Sequence, residues 1–388
     1  MKRSALLLCA VLAVLTSPAT AATFKVLHDF GEGADGSNPL GPLAFGANGF
    51  IYGTTTAGGT AGAGTVFVVH PNGFEKVLHS FLGDRNGGTP ASGLVADADG
   101  IFYGTAEMGG VRDKGTIFKV TPAGKLTTLY RFPGGRNNGS LPVADVAIDD
   151  SGVISGTTSR GGSKLDAGTV FRRTPDGTVI TLHVFNIKDG AEPDAGVVAD
   201  SDGALYGTAR LGGASSGGVV YRIAPDGTRK VLHAFAGIAG GDGSSPQSGL
   251  VFGMDGKLYG TASLGGANNG GILFRISPNG GNYEIVHAFK GNADGSHDGE
   301  APTGNLAIDG DGNIFGTTRD GGPSGVGIVF EFAADGTYRV IHAFDGANDG
   351  TQPSSGVVIG PNGLLYGTAV FGGANNKGTL FSIKLQAN

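Results

Sequence analysis

The sequence predicts an all-β, seven-bladed propeller of four-stranded antiparallel blades, and three observations predict it. One unit of about fifty residues recurs seven times, each unit holds four short strand-like segments, and the two ends are out of phase by one segment.

Four landmarks define the unit, each present seven times. An L-H-x-F-like element surrounds His28, His79, Tyr130, His183, His233, His287 and His342. An aromatic-Gly-Thr element centres on Gly53, Gly104, Gly156, Gly207, Gly260, Gly316 and Gly367, with Ser155 replacing the aromatic in the third copy. A Gly-x-x-aromatic element starts at Gly64, Gly115, Gly168, Gly218, Gly271, Gly327 and Gly378. A proline lies four residues before a Leu or Val at Pro39, Pro90, Pro142, Pro193, Pro246, Pro302 and Pro353. Spacings of 50 to 56 residues fill the chain after its leader, so one domain is expected over 22–388.

The second copy shows the strands. Gly93 to Ala96 is the first (A), Ile101 to Thr105 the second (B), Gly115 to Val120 the third (C) and Leu126 to Phe132 the fourth (D). Asp99-Gly100 reads as a two-residue hairpin turn between A and B, and Pro122-Ala123-Gly124 as the turn between C and D. Runs such as Val66-Phe67-Val68 are apolar on both faces, as a blade sandwiched between two neighbours requires. Radial repetition of such sheets hides their edges. The chain opens on a lone D-type strand, Phe24 to Phe30, and ends on a C-type strand, Gly378 to Leu385. The N-terminal strand is therefore expected to complete the last blade and close the ring.

Lys2 and Arg3, the apolar run Ala5 to Leu15 and Ala19-Thr20-Ala21 form a secretory leader over 1–21, cleaved after Ala21. The run is too short to span a bilayer, which takes about 20 residues. The single cysteine, Cys9, leaves with the leader, so no disulfide or thiolate chemistry is expected. The 33 acidic residues exceed the 27 basic ones, and losing Lys2 and Arg3 moves the net charge from −6 to −8. No basic stripe is present, so nucleic acid is not an expected partner, and no second apolar segment reaches membrane length. A soluble, secreted or periplasmic monomer is expected.

His79-Ser-Phe, Asp349-Gly-Thr-Gln-Pro353, Gly249-Leu-Val, Leu258-Tyr-Gly-Thr261 and Gly265-Gly-Ala-Asn-Asn-Gly-Gly-Ile-Leu-Phe274 together resemble the GloVer repeat of bacterial extracellular proteins. The recurrent His-Ala-Phe is also similar to repeats labelled HAF. The resemblance covers residues 22–388 and implies an extracellular or surface location. Family members often end in a sorting anchor; the lack of one here implies a soluble product.

Three motifs invite chemistry that their context does not support. The histidines recur at one position of the outermost strand, and strands about 4.8 Å apart place the copies too far from one another to share a metal. Their expected task is structural, a polar tip hydrogen-bonding between blades. Asp97-Ala-Asp99-Gly100, Asp200-Ser-Asp202-Gly203 and Asp309-Gly-Asp311-Gly312-Asn313 resemble the start of a calcium loop, but positions six and twelve from Asp309 are Ile314 and Asp320. Calcium is thus the weak reading and no cofactor is the expectation. Gly213-Ala-Ser215-Ser-Gly217 matches a nucleophile elbow but lies in a glycine-rich B–C loop.

The D–A and B–C loops share one face and are the longer ones, so a site is expected there. Positions repeated in every copy read as scaffold, and the informative ones are those that differ. The pair before each Gly-Gly is Thr56-Ala57, Glu107-Met108, Ser159-Arg160, Arg210-Leu211, Ser263-Leu264, Arg319-Asp320 or Val370-Phe371. The candidate ligand-binding residues are Glu107, Arg160, Arg210, Arg319 and Asp320, joined by Asp298 and Glu300 of the longest D–A loop, with Arg85, Arg136, Asp294 and His297 nearby in sequence. The arginines are expected to face the channel mouth, orient a polar or anionic ligand and be replaceable without loss of stability. Two function classes follow: a non-catalytic scaffold binding a glycan, peptide or protein, and an extracytoplasmic lyase, glycosidase or lactonase needing a carboxylate pair, or a base with an activated partner, converging on one spot. The binding class is favoured.

Overall fold

The computed structural model describes residues 22–31, 34–292 and 295–385; the expected leader, Asp294 and the last three residues lie outside them. Seven four-stranded antiparallel sheets form the ring. Blades 1 to 6 span 44–80, 95–131, 147–184, 198–234, 251–288 and 307–343, and blade 7 spans 357–384. Its fourth strand is Thr23–Asp29, which pairs antiparallel with Thr379–Lys384 from Thr23 opposite Lys384 to Asp29 opposite Thr379. The ring therefore closes through the N-terminal strand. One 3-10 turn, Ile238–Gly240, is the helical element among the described residues.

Three of the four landmarks resolve into two contacts. Within a blade, the glycine of aromatic-Gly-Thr lies opposite the aromatic of Gly-x-x-aromatic: Gly53 faces Phe67, and Gly104 faces Phe118. A Cβ at Gly53 would sit 2.4 Å from the Phe67 ring, so the ring occupies the missing side chain's place. Between blades, the left-handed glycine that opens strand C meets the proline of the next unit. Gly64 (φ +94°) abuts Pro90, and Gly378 (φ +101°) abuts Pro39 across the closure. Glycine is thus required twice per unit, once by a ring and once by backbone conformation.

Strand A is shorter than expected. Only Val95–Ala96 pairs in blade 2, because the Gly93 N–H turns into the channel and donates to Asp145 Oδ1 at 2.6 Å. The A–B turn also differs from a two-residue primed hairpin. Gly100 alone has positive φ, and its N–H donates to the Asp97 carbonyl. The Asp97 carboxylate fixes this turn by accepting the N–H groups of Asp99 and Ile101 and the Tyr103 hydroxyl. Asp200 does the same for its own turn, and Asp309 accepts the N–H groups of Asp311 and Asn313.

On the outer edge the repeated histidine sits one residue past a bulge in strand D, as between Val26 and His28. Its Nε2 meets an aspartate of the following loop: His28 with Asp35 at 2.9 Å, His233 with Asp242 at 2.8 Å, His287 with Asp298 at 3.1 Å and His342 with Asp349 at 2.9 Å. The residue four positions before the next copy's histidine reaches this pair from the neighbouring blade. Tyr283 stacks on His233 at 3.7 Å and donates its hydroxyl to Asp242 at 2.5 Å; Tyr338 does the same to His287 and Asp298. Phe24 stacks on His342, Arg229 reaches Asp189, and Glu75 approaches His28 and Asp35. The histidines are junction residues, as their repetition implied.

Candidate functional site

The proline that meets the previous blade also aims the chain into the channel. The residue before each proline carries an unusual left-handed conformation: Asn38, Thr89, Leu141, Glu192, Ser245, Ala301 and Gln352 have φ between 50° and 59°. Its carbonyl accepts the N–H of the first residue of the variable pair, as Thr89 does from Glu107, Glu192 from Arg210 and Ala301 from Arg319. Every copy thereby sets one D–A residue and one B–C residue at the mouth with the same backbone and different side chains.

The mouth encloses a hollow of about 410 Å3. Residues just after the prolines line it, among them Leu40, Ala91, Val143, Asp194, Gln247, Thr303 and Ser354, with Glu107 and Arg319 from the variable pairs. Its floor is a polar strut. Asn305 Nδ2 donates to Asp145 Oδ2 at 2.9 Å, the Gly249 N–H donates to Asn305 Oδ1 at 3.0 Å, and the Gly93 N–H holds the other Asp145 oxygen. The strut ties blades 2, 3, 5 and 6 across the axis. Asp145 and Asn305 also line a smaller hollow of about 150 Å3 beyond it. Enclosure raises the Asp145 carboxyl above its ordinary range, against the two hydrogen bonds it accepts.

A charged chain runs from the rim into this hollow. Arg160 Nη1 meets Glu192 Oε1 at 2.7 Å, Arg210 Nη2 contacts Glu192 Oε2, and Arg210 Nε donates to Asp194 Oδ2 at 2.7 Å. Glu192 is buried. Burial pushes the Asp194 carboxyl up to about 7; the Arg160 charge opposes this and the Glu107 charge adds to it. Burial, and then the charge of Asp113, raise Glu107 as well. Burial and the neighbouring Arg160 lower Arg210.

The expected site residues therefore separate. Glu107 and Arg319 line the mouth, while Arg210 stands behind Asp194. Arg160 lines a different hollow of about 220 Å3 with Leu165, Ile187 and Leu211. Residues alternate sides along a strand, so the second member of each variable pair leaves the mouth. Asp320 pairs with Arg319 at 2.8 Å and lies opposite the exposed Glu300 in a two-residue ribbon. Asp298 is a correction: it is buried on the outer junction, holding His287, Tyr338 and the Gly299 N–H. Arg85, Arg136 and His297 are exposed loop residues outside the mouth lining, and Ser215 of the elbow-like motif is exposed in its loop.

Asp145, Asp194, Gln247 and Asn305 were missed. The signal was present: the third residue after the proline is glycine in four copies but Asp145 and Asn305 in two others. The expectation of arginines free to hold an anion does not match the geometry either, because each of the three is spent on a carboxylate.

No curated protein matches the chain. Among solved structures, the extracellular domain of a hybrid two-component system from B. thetaiotaomicron superposes with a TM-score of 0.63 at 11% identity, over 95% of this chain and 40% of that one. A second such domain from the same organism gives 0.56 at 15%, over 93% and 41%. The chain thus spans about two fifths of the length of these two. A protein described as a 6-phosphogluconolactonase from Bacteroides uniformis gives 0.52 at 19%, over 82% and 88%. At these identities the likeness is one of fold. The model of the Gloeobacter/Verrucomicrobia repeat matches residues 13–165, 136–297 and 242–388, and with the repeated landmarks already in place the chain belongs to that repeat family.

Proposed function

We propose that this is an exported, non-catalytic binding propeller that seats a neutral, polyhydroxylated ligand, the end of a glycan, in its channel mouth. One observation carries the reading: a hollow of about 410 Å3 is ringed by Glu107, Asp194, Gln247, Thr303, Asn305 and Ser354, while its cations are held by carboxylates. Such a lining offers donors and acceptors to hydroxyl groups and repels an anion. The strut closes the floor, so a ligand enters from the long-loop face. The leader-like N-terminus supports export, in keeping with the extracellular domains among the structural neighbours.

The test is a thermal-shift and calorimetric screen of the protein against neutral and acidic oligosaccharides. A neutral oligosaccharide should raise the melting temperature, and Gln247→Ala with Glu107→Gln should weaken its binding at least tenfold. An unchanged affinity in that double variant, or exclusive binding of acidic sugars, overturns the reading.

A second reading rests on Glu107 and Asp194, two carboxyls of one hollow both raised by burial. A glycosidase needs one protonated and one ionised carboxyl at the reacting bond, and a lactonase can use an ionised one to activate water. Turnover of chromogenic glycosides or aldonolactones that disappears in Glu107→Gln favours it; absence of turnover over such a panel removes it.

A further inference from the structure

The seven outer junctions act as internal controls for one another, and one of them differs in kind. At the junctions after blades 4 and 5 the His–Asp pair is completed by a tyrosine that stacks and donates a hydrogen bond. After blade 3 it is completed by a cation, Arg229 Nε lying 3.3 Å from Asp189. At the ring closure the same slot holds Glu75, which brings a second carboxylate to a pair that already has one. One ligand atom each from His28, Asp35 and Glu75 lie within 4.8 Å of one another.

Among the ion pairs of the described residues, no lysine or arginine reaches Asp35 or Glu75. Asp35 is well served, since its Oδ2 accepts from His28 and the Gly31 N–H and its Oδ1 from the Gly36 N–H at 2.6 Å. Glu75 is not: its Oε1 is buried and has no hydrogen-bond partner among the described residues. Burial and then the Asp35 charge push its carboxyl up to about 7, with the His28 charge opposing. An unpaired buried oxygen beside a second carboxylate is an expensive arrangement unless a proton or a metal cation neutralises it.

We propose that His28, Asp35 and Glu75 form a binding site for a divalent transition metal, zinc being the representative ion, which clamps the N-terminal closing strand to blade 1. One imidazole and two carboxylates suit zinc, with bonds of about 2.0–2.2 Å, and leave a fourth position for water. Calcium, which takes six to eight oxygens, is poorly matched by an imidazole nitrogen. The metal takes the place of the proton between His28 Nε2 and Asp35 Oδ2, and that proton leaves to solvent. His28 and Asp35 keep side-chain exposures of 18% and 7%, so the site is reachable from the rim. The three ligands come from the closing strand, the loop that follows it and the outer strand of blade 1, so the ion's binding energy falls on the ring closure.

The test uses the chelator-stripped protein. Calorimetry with zinc should give one site per chain, and saturating zinc should raise the melting temperature by about 3–5 °C. Cobalt should give a visible ligand-field band at the same stoichiometry. Glu75→Gln should lower zinc affinity at least tenfold and abolish both the shift and the band. Tyr283→Glu, which puts a carboxylate in the matching slot beside His233 and Asp242, should raise the stoichiometry from one to two in an otherwise native chain. The proposal is overturned if zinc does not bind, if Glu75→Gln binds it unchanged, if calcium shifts the melting temperature as far as zinc, or if Tyr283→Glu stays at one ion.

Discussion

The outer junctions and the channel mouth are both seven-fold, and they vary in opposite ways. At the outer edge most copies keep the His–Asp pair and change only the residue completing it. At the mouth all seven copies keep a backbone ring, with its left-handed residue and its carbonyl bond to the variable pair, and the side chains diverge into Leu40, Asp194, Gln247 or Ser354. The difference follows from crowding. Blades pressed side by side at the rim need matched partners, whereas side chains converging on an axis cannot all be alike without colliding or repelling. Repetition therefore marks scaffold, and departure from it marks places where something other than the ring can be held.

The largest test of the outer edge is removal of residues 23–30. This takes away the fourth strand of blade 7, the fully buried Phe30 and the Phe24 ring stacked on His342. Loss of two packed aromatics alone costs on the order of 5–10 kcal/mol, and the exposed edge invites association. Thermal unfolding should begin far earlier and light scattering should show aggregates; an unchanged melting temperature and a monomer would mean that the ring closes without this strand.

The arginines sharpen the mouth side of the comparison, because they are not equivalent. Arg210→Ala removes the cation paired with the raised Asp194 and leaves the buried Glu192 with Arg160 alone, and should cost about 1–3 kcal/mol in denaturant unfolding. Arg319→Ala removes an exposed guanidinium from its half-buried neighbour Asp320 and should cost under about 0.5 kcal/mol. Equal effects would show that the charged chain is not a structural unit.

Between these lies Tyr283→Phe, which removes one hydroxyl and should cost about 1 kcal/mol at neutral pH. The effect should depend on pH. His233, Tyr283 and two backbone N–H groups outweigh burial and hold the Asp242 carboxyl down at about 2, below its ordinary 3.8. A depressed carboxyl contributes stability that is full above about pH 4 and is lost as pH falls toward 2. The variant should therefore converge on the parent in that window, and a penalty that persists at pH 2 would place the tyrosine's contribution in stacking instead.

Much of the architecture was legible because it is written as recurrence. The period gives the blade count, the four segments give the strands, and the out-of-phase ends give the closure, since a lone D-type strand and a blade lacking one fit only each other. The mouth was legible in part. Glu107 and Arg319 were found by asking where copies differ, while Asp145 and Asn305 were overlooked because they replace glycines in a stretch that reads as turn. Asp298 misled because an acid in a long loop looks solvated, and nothing in the sequence brings Tyr338 to it from the next blade.

The sequence by itself determined the number of blades, the strand order and the position of every repeated junction, because these depend on local periodicity and on contacts that recur at a fixed spacing. Only the tertiary structure decided which charges are spent and which are left over. Arg210 meets Glu192, Asn305 crosses the axis to Asp145, and Glu75 comes to rest beside Asp35 with no donor of its own. Those pairings are set by ring geometry, which joins residues from separate copies, and an electrostatic balance of that kind depends on distances of a few ångströms that no spacing along the chain encodes.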